Sequence, residues 1–258
     1  MEQNTILFLT CANNKYEMFV IPFLFSVFAT QDDSYIEIFL ESKKDFLAKH
    51  GKGVEIIKNN MSENFVLTEQ DFSLSIPNSV RFLNQPETKA DYVYISDIDI
   101  FYTDTNIIDI HLSAMKENHQ DFSNIIRPGT PRLTGLHFTK WDAMYPIPKS
   151  KRGKRDRRND ELILNELVTE KTGKPPRKDL TFRPVHGIHT SPNRTIAGNG
   201  PRKPSWGINE QKAKRWPMLI QHPVWKSLIP HLDENYKVIV EQIDSHIQRH
   251  YKDNFYEK

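Results

Sequence analysis

The chain has 258 residues, of which 38% are hydrophobic, 26% charged and 11% aromatic. That length suits one large α/β domain with a sizeable core, and the composition excludes general disorder. With 35 basic against 33 acidic residues the net charge is +2, too balanced for a dedicated nucleic-acid binder. The single cysteine, Cys11, leaves no intramolecular disulfide and fits a reducing, cytoplasmic setting.

In chain order, Ile6 to Thr10 reads as a buried strand, a short apolar run ending in small and polar residues. Asn13-Asn14 signals a turn, and Tyr16 to Ala29 a buried helix. The apolar part of that helix, from Met18, is too short to span a bilayer and is broken by Pro22. The opening Met-Glu-Gln-Asn lacks the basic start of a secretory signal. The expectation is a chain with no transmembrane segment, any membrane contact being peripheral. Tyr35 to Leu40 is a second strand, Lys43 to His50 a helix closed by Gly51, and Val54 to Ile57 a third strand. Pro77 to Leu83 reads as a short helix, and Tyr92 to Ser96 as a strand ending in Asp97-Ile98-Asp99. Strands alternating with helices predict a Rossmann-like, mainly parallel sheet flanked by helices. Ligands of such sheets sit beyond the carboxyl ends of the strands, where Thr10 to Tyr16 and Asp97 to Asp99 fall.

The second half is less regular and holds most of the prolines. It has a basic loop (Lys149, Lys151, Arg152, Lys154, Arg155, Arg157, Arg158), then a helix from Asp160 to Val168. The loop reads as a solvated segment; its functional alternative is a lid, or a contact for an acidic glycan or lipid phosphate. A strand-like piece, Phe182 to Val185, leads into His186-Gly187-Ile188-His189, and Glu234 to Tyr251 is a C-terminal helix. Residues 1–258 are read as one domain, 1–105 forming a nucleotide-binding half and 106–258 an irregular acceptor-side half.

Asp97 and Asp99 carry the chemistry. Alternate residues of a strand share a face, so in an extended chain both carboxylates converge on one cation. Mn²⁺ and Mg²⁺ prefer oxygen ligands and commonly combine carboxylates with substrate phosphates. The plain alternative is a polar strand end with two solvated carboxylates. Aspartate-nucleophile phosphatases place such a pair after the first strand; here it follows several βα units. Sugar nucleotidyltransferases carry a glycine-rich loop near the start, and Thr10 to Lys15 contains no glycine.

Taken in order, the segments resemble GT-A-fold glycosyltransferases of family 8, with likeness to family 6. The matches span about residues 5 to 194 and are short. Ile6 to Thr10, Asn14-Lys15-Tyr16 and Pro22 to Ser26 are similar to the family 8 start, which holds the nucleotide base. The resemblance implies donor contacts from Thr10, Ala12, Asn13 and Tyr16, with Tyr16 stacked on uracil; packing on the core is its alternative. Ser79 to Leu83 looks like the helix whose arginine, here Arg81, reaches the donor. Ser96, Asp97 and Ile98 would border the donor from the strand end. Arg132 to Trp141 resembles the segment bordering the donor sugar, where Gly135 permits close backbone approach. Asn159 to Asn165 resembles the family's acidic helix start, which nominates Asp160 and Glu161 as catalytic carboxylates; helix capping is the alternative for Asp160. The stretch His186 to Arg194 lies where family 8 has a metal-binding histidine and a phosphate-binding lysine. The spacing departs from the family, so the ligand is either His186 or His189, the latter favoured by its nearness to Arg194, which would replace the lysine.

The resemblance implies an enzyme that holds Mn²⁺ or Mg²⁺ on Asp97, Asp99 and a histidine. It would move a sugar from a nucleotide-diphosphate donor such as a UDP-sugar to a glycan or glycolipid acceptor, with retention. Arg81 and Arg194 would add charge beside the leaving diphosphate, and Glu161 would stabilise an oxocarbenium-like transition state. With inversion, Asp160 or Glu161 would be the general base. A hydrolase using the same acidic site and a catalytically silent glycan-binding protein are the competing readings.

Overall fold

The computed structural model describes residues 4–127, 131–149, 151, 155–180, 182, 184–195 and 205–251. Arg152 and Lys154 of the basic loop lie outside them. The first half runs β1 (Ile6–Ala12), a 3₁₀ turn at Glu17–Phe19, α1 (Val20–Thr30), β2 (Ser34–Leu40), α2 (Lys43–Asn60), β3 (Phe65–Glu69), α3 (Val80–Leu83), β4 (Tyr92–Ile95) and β5 (Ile100–Tyr102). It continues with α4 (Ile107–Asn118), β6 (Phe122–Ser123), β7 (Ile126–Arg127), β8 (Arg132–Leu133), β9 (His137–Lys140), α5 (Trp141–Met144), α6 (Asp160–Thr172) and β10 (Gly187–His189). Three helices close the described chain: α7 (Glu210–Ile220), α8 (Pro223–Leu228) and α9 (Glu234–His250).

The main sheet has the order β3-β2-β1-β4-β9-β6. Strands β1 to β4 pair in parallel, β9 is antiparallel to β4, and β6 is antiparallel to β9. The sheet is thus mixed and mostly parallel, with helices around it, as the alternation of elements predicts. Strand β1 is buried along its whole length because both faces are covered. Ile6 and Phe8 pack with Phe23, Leu24 and the C-terminal helices. Leu7 and Leu9, on the other face, pack with Phe82, Ile163 and Leu164. Among the described residues no helix is long and apolar enough to cross a membrane.

Three local expectations are corrected. Helix α2 does not stop at Gly51, and Val54 to Ile57 is not a strand; the helix runs on to Asn60 and the third strand is β3. The reason is tertiary: Gly53 lies flat against α1, and a β-carbon there would sit 3.1 Å from Ile21. A small residue suits that contact, which offsets the helical cost of glycine. The strand expected at Phe182 to Val185 appears instead at Gly187–His189, Arg183 lying outside the described residues. There the backbones of β10 and β5 touch, and a β-carbon on Gly187 would lie 2.0 Å from the Phe101 carbonyl oxygen.

Candidate active site

Strand β4 is held beside β1 up to its last residue. The Ser96 amide donates to Leu9 O, and Thr10 Oγ1 donates to Ser96 O at 2.9 Å. The same carbonyl accepts Arg81 Nη1 at 2.6 Å, and Ser96 Oγ accepts from Tyr102 OH at 2.8 Å. Thr10 and Ser96 are fully buried and serve to anchor the strand end. Beyond Ser96 the extended chain expected for Asp97-Ile98-Asp99 gives way to a turn at 98–99. The two carboxylates nonetheless converge.

The third group at that point is His189. Strand β10 pairs antiparallel with β5, setting His189 opposite Ile100, the neighbour of Asp99. Its Nε2 is 2.8 Å from Asp99 Oδ1 and 3.9 Å from Asp97 Oδ2. One ligand atom from each of Asp97, Asp99 and His189 lies within 4.8 Å of the others. An octahedral ion with bonds of about 2.1 Å sets adjacent ligand atoms about 3.0 Å apart and opposite ones about 4.2 Å apart. The two distances from His189, 2.8 and 3.9 Å, fall close to that range, and two carboxylates with one imidazole are a donor set that can hold a divalent ion.

Behind the trio stands Arg81, only 2% exposed. Its Nη2 is 2.7 Å from Asp97 Oδ1 and 3.6 Å from Asp160 Oδ2. Burial opposes the charge on Arg81, but the carboxylates of Asp97 and Asp160 outweigh it and hold the guanidinium above its ordinary pKa. Gly135 completes the packing, since a β-carbon there would come within 2.7 Å of Arg81 Nη2 and 3.4 Å of Asp97 Oδ1.

In front lies a cleft of about 260 Å³ lined by Asn13, Tyr16, Arg81, Asp97, Ile98, Asp99, His189 and Arg194. Tyr16 is half-buried; its hydroxyl accepts Asn193 Nδ2 at 3.3 Å, and its pKa is raised by burial and then by Asp99. Arg194 Nη1 donates to Ser205 O at 3.1 Å. Ala12 is buried at the end of β1 and does not face the cleft.

Cys11, Pro77, Asn78, Ser191 and Asn193 also line it, and none was singled out as a site residue from sequence. Pro77 and Asn78 stand one turn before Arg81, and Ser191 and Asn193 lie between His189 and Arg194, which is the signal that could have found them. The Cys11 thiol is pushed up to about 11 by burial and is therefore uncharged.

Thr10, Ser96, Gly135 and Asp160 stand behind the cleft and not on its lining, and Glu161 and His186 are engaged elsewhere. Glu161 is turned onto Arg127 Nε, at 2.6 Å, and Arg132 Nη1, at 3.7 Å. His186 has both ring nitrogens engaged, Nδ1 with Asp104 Oδ2 at 3.0 Å and Nε2 with His111 Nε2 at 2.9 Å. Of the two histidines it is His189, the last residue of β10, that lies beside the aspartates, while the ring of His186, which precedes the strand, is held by Asp104 and His111.

No family model matches the sequence, and no curated protein matches it. Several solved structures are similar in fold. The mannosyltransferase PcManGT from Pyrobaculum calidifontis, solved with GDP-Man and Mn²⁺, is 11% identical over 94% of this chain and 73% of that one, with a TM-score of 0.46. The 4-diphosphocytidyl-2C-methyl-D-erythritol synthase of Anaerococcus prevotii is 10% identical over 71% of this chain and 87% of that one, with a TM-score of 0.45. S. aureus TarS 1-349 is 12% identical over 64% of this chain, with a TM-score of 0.44. The chain spans 55% of that TarS structure and 44% of the glycosyltransferase GlyE of Streptococcus pneumoniae. These likenesses concern the fold.

Proposed function

We propose that this protein is a divalent-metal-dependent glycosyltransferase that uses a nucleoside-diphosphate sugar, UDP-linked by the sequence resemblance, and a glycan or glycolipid acceptor. The observation that carries the reading is the meeting of Asp97, Asp99 and His189 at the carboxyl end of a parallel strand, in a cleft that also holds Arg81 and Arg194. That end of a parallel sheet is where nucleotides bind. In this reading residues 1–105 supply most of the nucleotide side, joined by Gly135, His189 and Arg194 from 106–258, the half that otherwise serves the acceptor.

Asp97, Asp99 and His189 would hold Mn²⁺ or Mg²⁺, which when bound neutralises the donor diphosphate and acts as a Lewis acid on the leaving group. Arg194 adds positive charge from the cleft wall. Arg81 orients Asp97 through a short ion pair and bonds the backbone that leads to it. Tyr16 is half-buried in the cleft wall, where a base can stack on its ring, and Asn13 lines the same cleft. Gly135 lets the chain pass close to Arg81 and Asp97 where the donor sugar would lie. Of the two candidate carboxylates, Asp160 shares Arg81 with Asp97 and is the one we assign to stabilise a developing oxocarbenium ion. Glu161 orients Arg127 and Arg132. Retention follows from the family 8 likeness.

The test is calorimetric titration of UDP with and without Mn²⁺. Binding is expected only with the ion and is expected to be lost in Asp99→Ala. Equal affinity after chelation would overturn the reading. Sugar release that ignores every acceptor would instead indicate a hydrolase.

A further inference from the structure

His186 belongs to a buried polar chain that the proposed reaction does not use. Ser123 Oγ meets His111 Nδ1 at 2.8 Å, His111 Nε2 meets His186 Nε2 at 2.9 Å, and His186 Nδ1 meets Asp104 Oδ2 at 3.0 Å. Asp104 Oδ1 then accepts Arg215 Nη1 at 2.6 Å. The His186 side chain is 0% exposed, and His111 is 2% exposed. The tautomers follow from the partners: facing a carboxylate, His186 Nδ1 carries a proton, and between the two Nε2 atoms one donates and the other accepts.

This chain is fastened to the strand that presents His189. Strand β10 has only three residues and, among the described residues, a single strand partner, β5. A ladder that short has few bonds of its own to hold its register, and a slip of one residue turns every side chain to the opposite face. Gly187, whose place against the Phe101 carbonyl no β-carbon can take, and the His189 amide, which donates to Trp206 O at 3.0 Å, oppose such a slip within the strand. Such a slip would carry His189 away from Asp97 and Asp99. The register is pinned at both ends. At the far end Thr190 N and Oγ1 donate to Asp99 O, at 2.7 and 2.9 Å. At the near end His186 O accepts the Thr103 and Asp104 amides, while its ring is locked between Asp104 and His111.

We propose that His186 is a positioning residue for the metal site: held by Asp104 and His111, it fixes the register of β10, so that metal affinity depends on a side chain that does not touch the ion. The proposal rests on the reading of Asp97, Asp99 and His189 as ligands. Partners one step removed from a metal commonly change its affinity about 10- to 100-fold.

The experiment titrates Mn²⁺ into the full-length protein by calorimetry and records pulsed EPR of the bound ion at saturation, for the native chain, His189→Ala, His186→Ala, His186→Asn and Asp104→Asn. The native chain is expected to bind Mn²⁺ with a directly coordinated imidazole nitrogen, and His189→Ala to lose that nitrogen signal. His186→Ala is expected to bind at least about 10-fold more weakly with the nitrogen signal diminished. His186→Asn, whose amide can still donate to Asp104, is expected to recover most of the affinity, and Asp104→Asn to fall between. If His186→Ala does not fold, Asp104→Asn decides: weaker binding with a diminished nitrogen signal supports the proposal, and native values overturn it. Affinity and nitrogen coupling unchanged in folded His186→Ala and Asp104→Asn, whatever their melting temperatures, would overturn the positioning role while leaving the metal site standing. No Mn²⁺ binding by the native chain would overturn both.

Discussion

Glu161 sits 2.6 Å from Arg127 Nε, whereas Asp160, one residue earlier, lies 3.6 Å from Arg81 in the wall behind the acidic trio. Successive residues of a helix diverge by about 100°, so one helical start serves two neighbourhoods. Asn159 caps it by accepting the Glu161 amide at 2.9 Å, which frees Asp160 from capping. Two outcomes follow. Asp160→Asn should lower turnover by about 100-fold, a typical loss for one electrostatic stabiliser of a transition state, with donor affinity much less changed. Glu161→Gln should leave turnover within a few-fold but cost about 1–2 kcal/mol of stability, because its carboxylate is mostly buried while its closest arginine is 42% exposed. Melting temperature, donor affinity and turnover of both variants check this. A turnover collapse in a well-folded Glu161→Gln protein would return Glu161 to the chemistry.

Helix α2 shows why an element's end is harder to read than its existence. Gly51 and Gly53 both lie inside it, with different surroundings. A β-carbon at Gly51 meets nothing within 4 Å, whereas at Gly53 it would press on Ile21 at 3.1 Å. Neither has a positive φ, so alanine fits the backbone at both. Gly51→Ala should therefore raise stability by about 0.5–1 kcal/mol through helix propensity and lower unfolded-chain entropy. Gly53→Ala should gain less or lose, since α1 must yield. Chemical denaturation of the two variants separates packing from propensity, and equal gains would remove the packing account of α2.

Across the whole molecule, buried histidines link folding to pH. Burial pushes His137 down to about 3, and its Nδ1 faces Asn124 Nδ2 at 3.1 Å. His111 is pushed well below its ordinary value by burial, then by His186 and His137. In the folded state both rings stay neutral at pH values where the unfolded chain, with histidine near 6.5, takes up protons. The unfolded state then binds more protons, so stability is full above about pH 6.5 and falls on acidification. For His137 the loss continues to about pH 3, at up to about 1.4 kcal/mol per pH unit for each such group. Denaturant unfolding at pH 7, 6 and 5 should show that slope, reduced in His137→Gln. An unchanged slope in the variant would locate the proton uptake elsewhere.

What the sequence determined by itself is what local pattern encodes. The apolar runs of β1 and β2, the helix from Asp160, the C-terminal helix and the acidic pair beyond β4 all follow from periodicity and residue type within a few positions. The order of those segments pointed to a mainly parallel sheet and to chemistry at its carboxyl end. Tertiary structure decided what depends on distant partners: that α2 runs on to Asn60 with Gly53 against α1. It also decided that His189 and not His186 lies beside the aspartates, and that Asp160 rather than Glu161 shares Arg81 with Asp97. Each of those outcomes is set by a contact between residues far apart in the chain, such as β10 on β5, and by which face a side chain takes once the register is fixed.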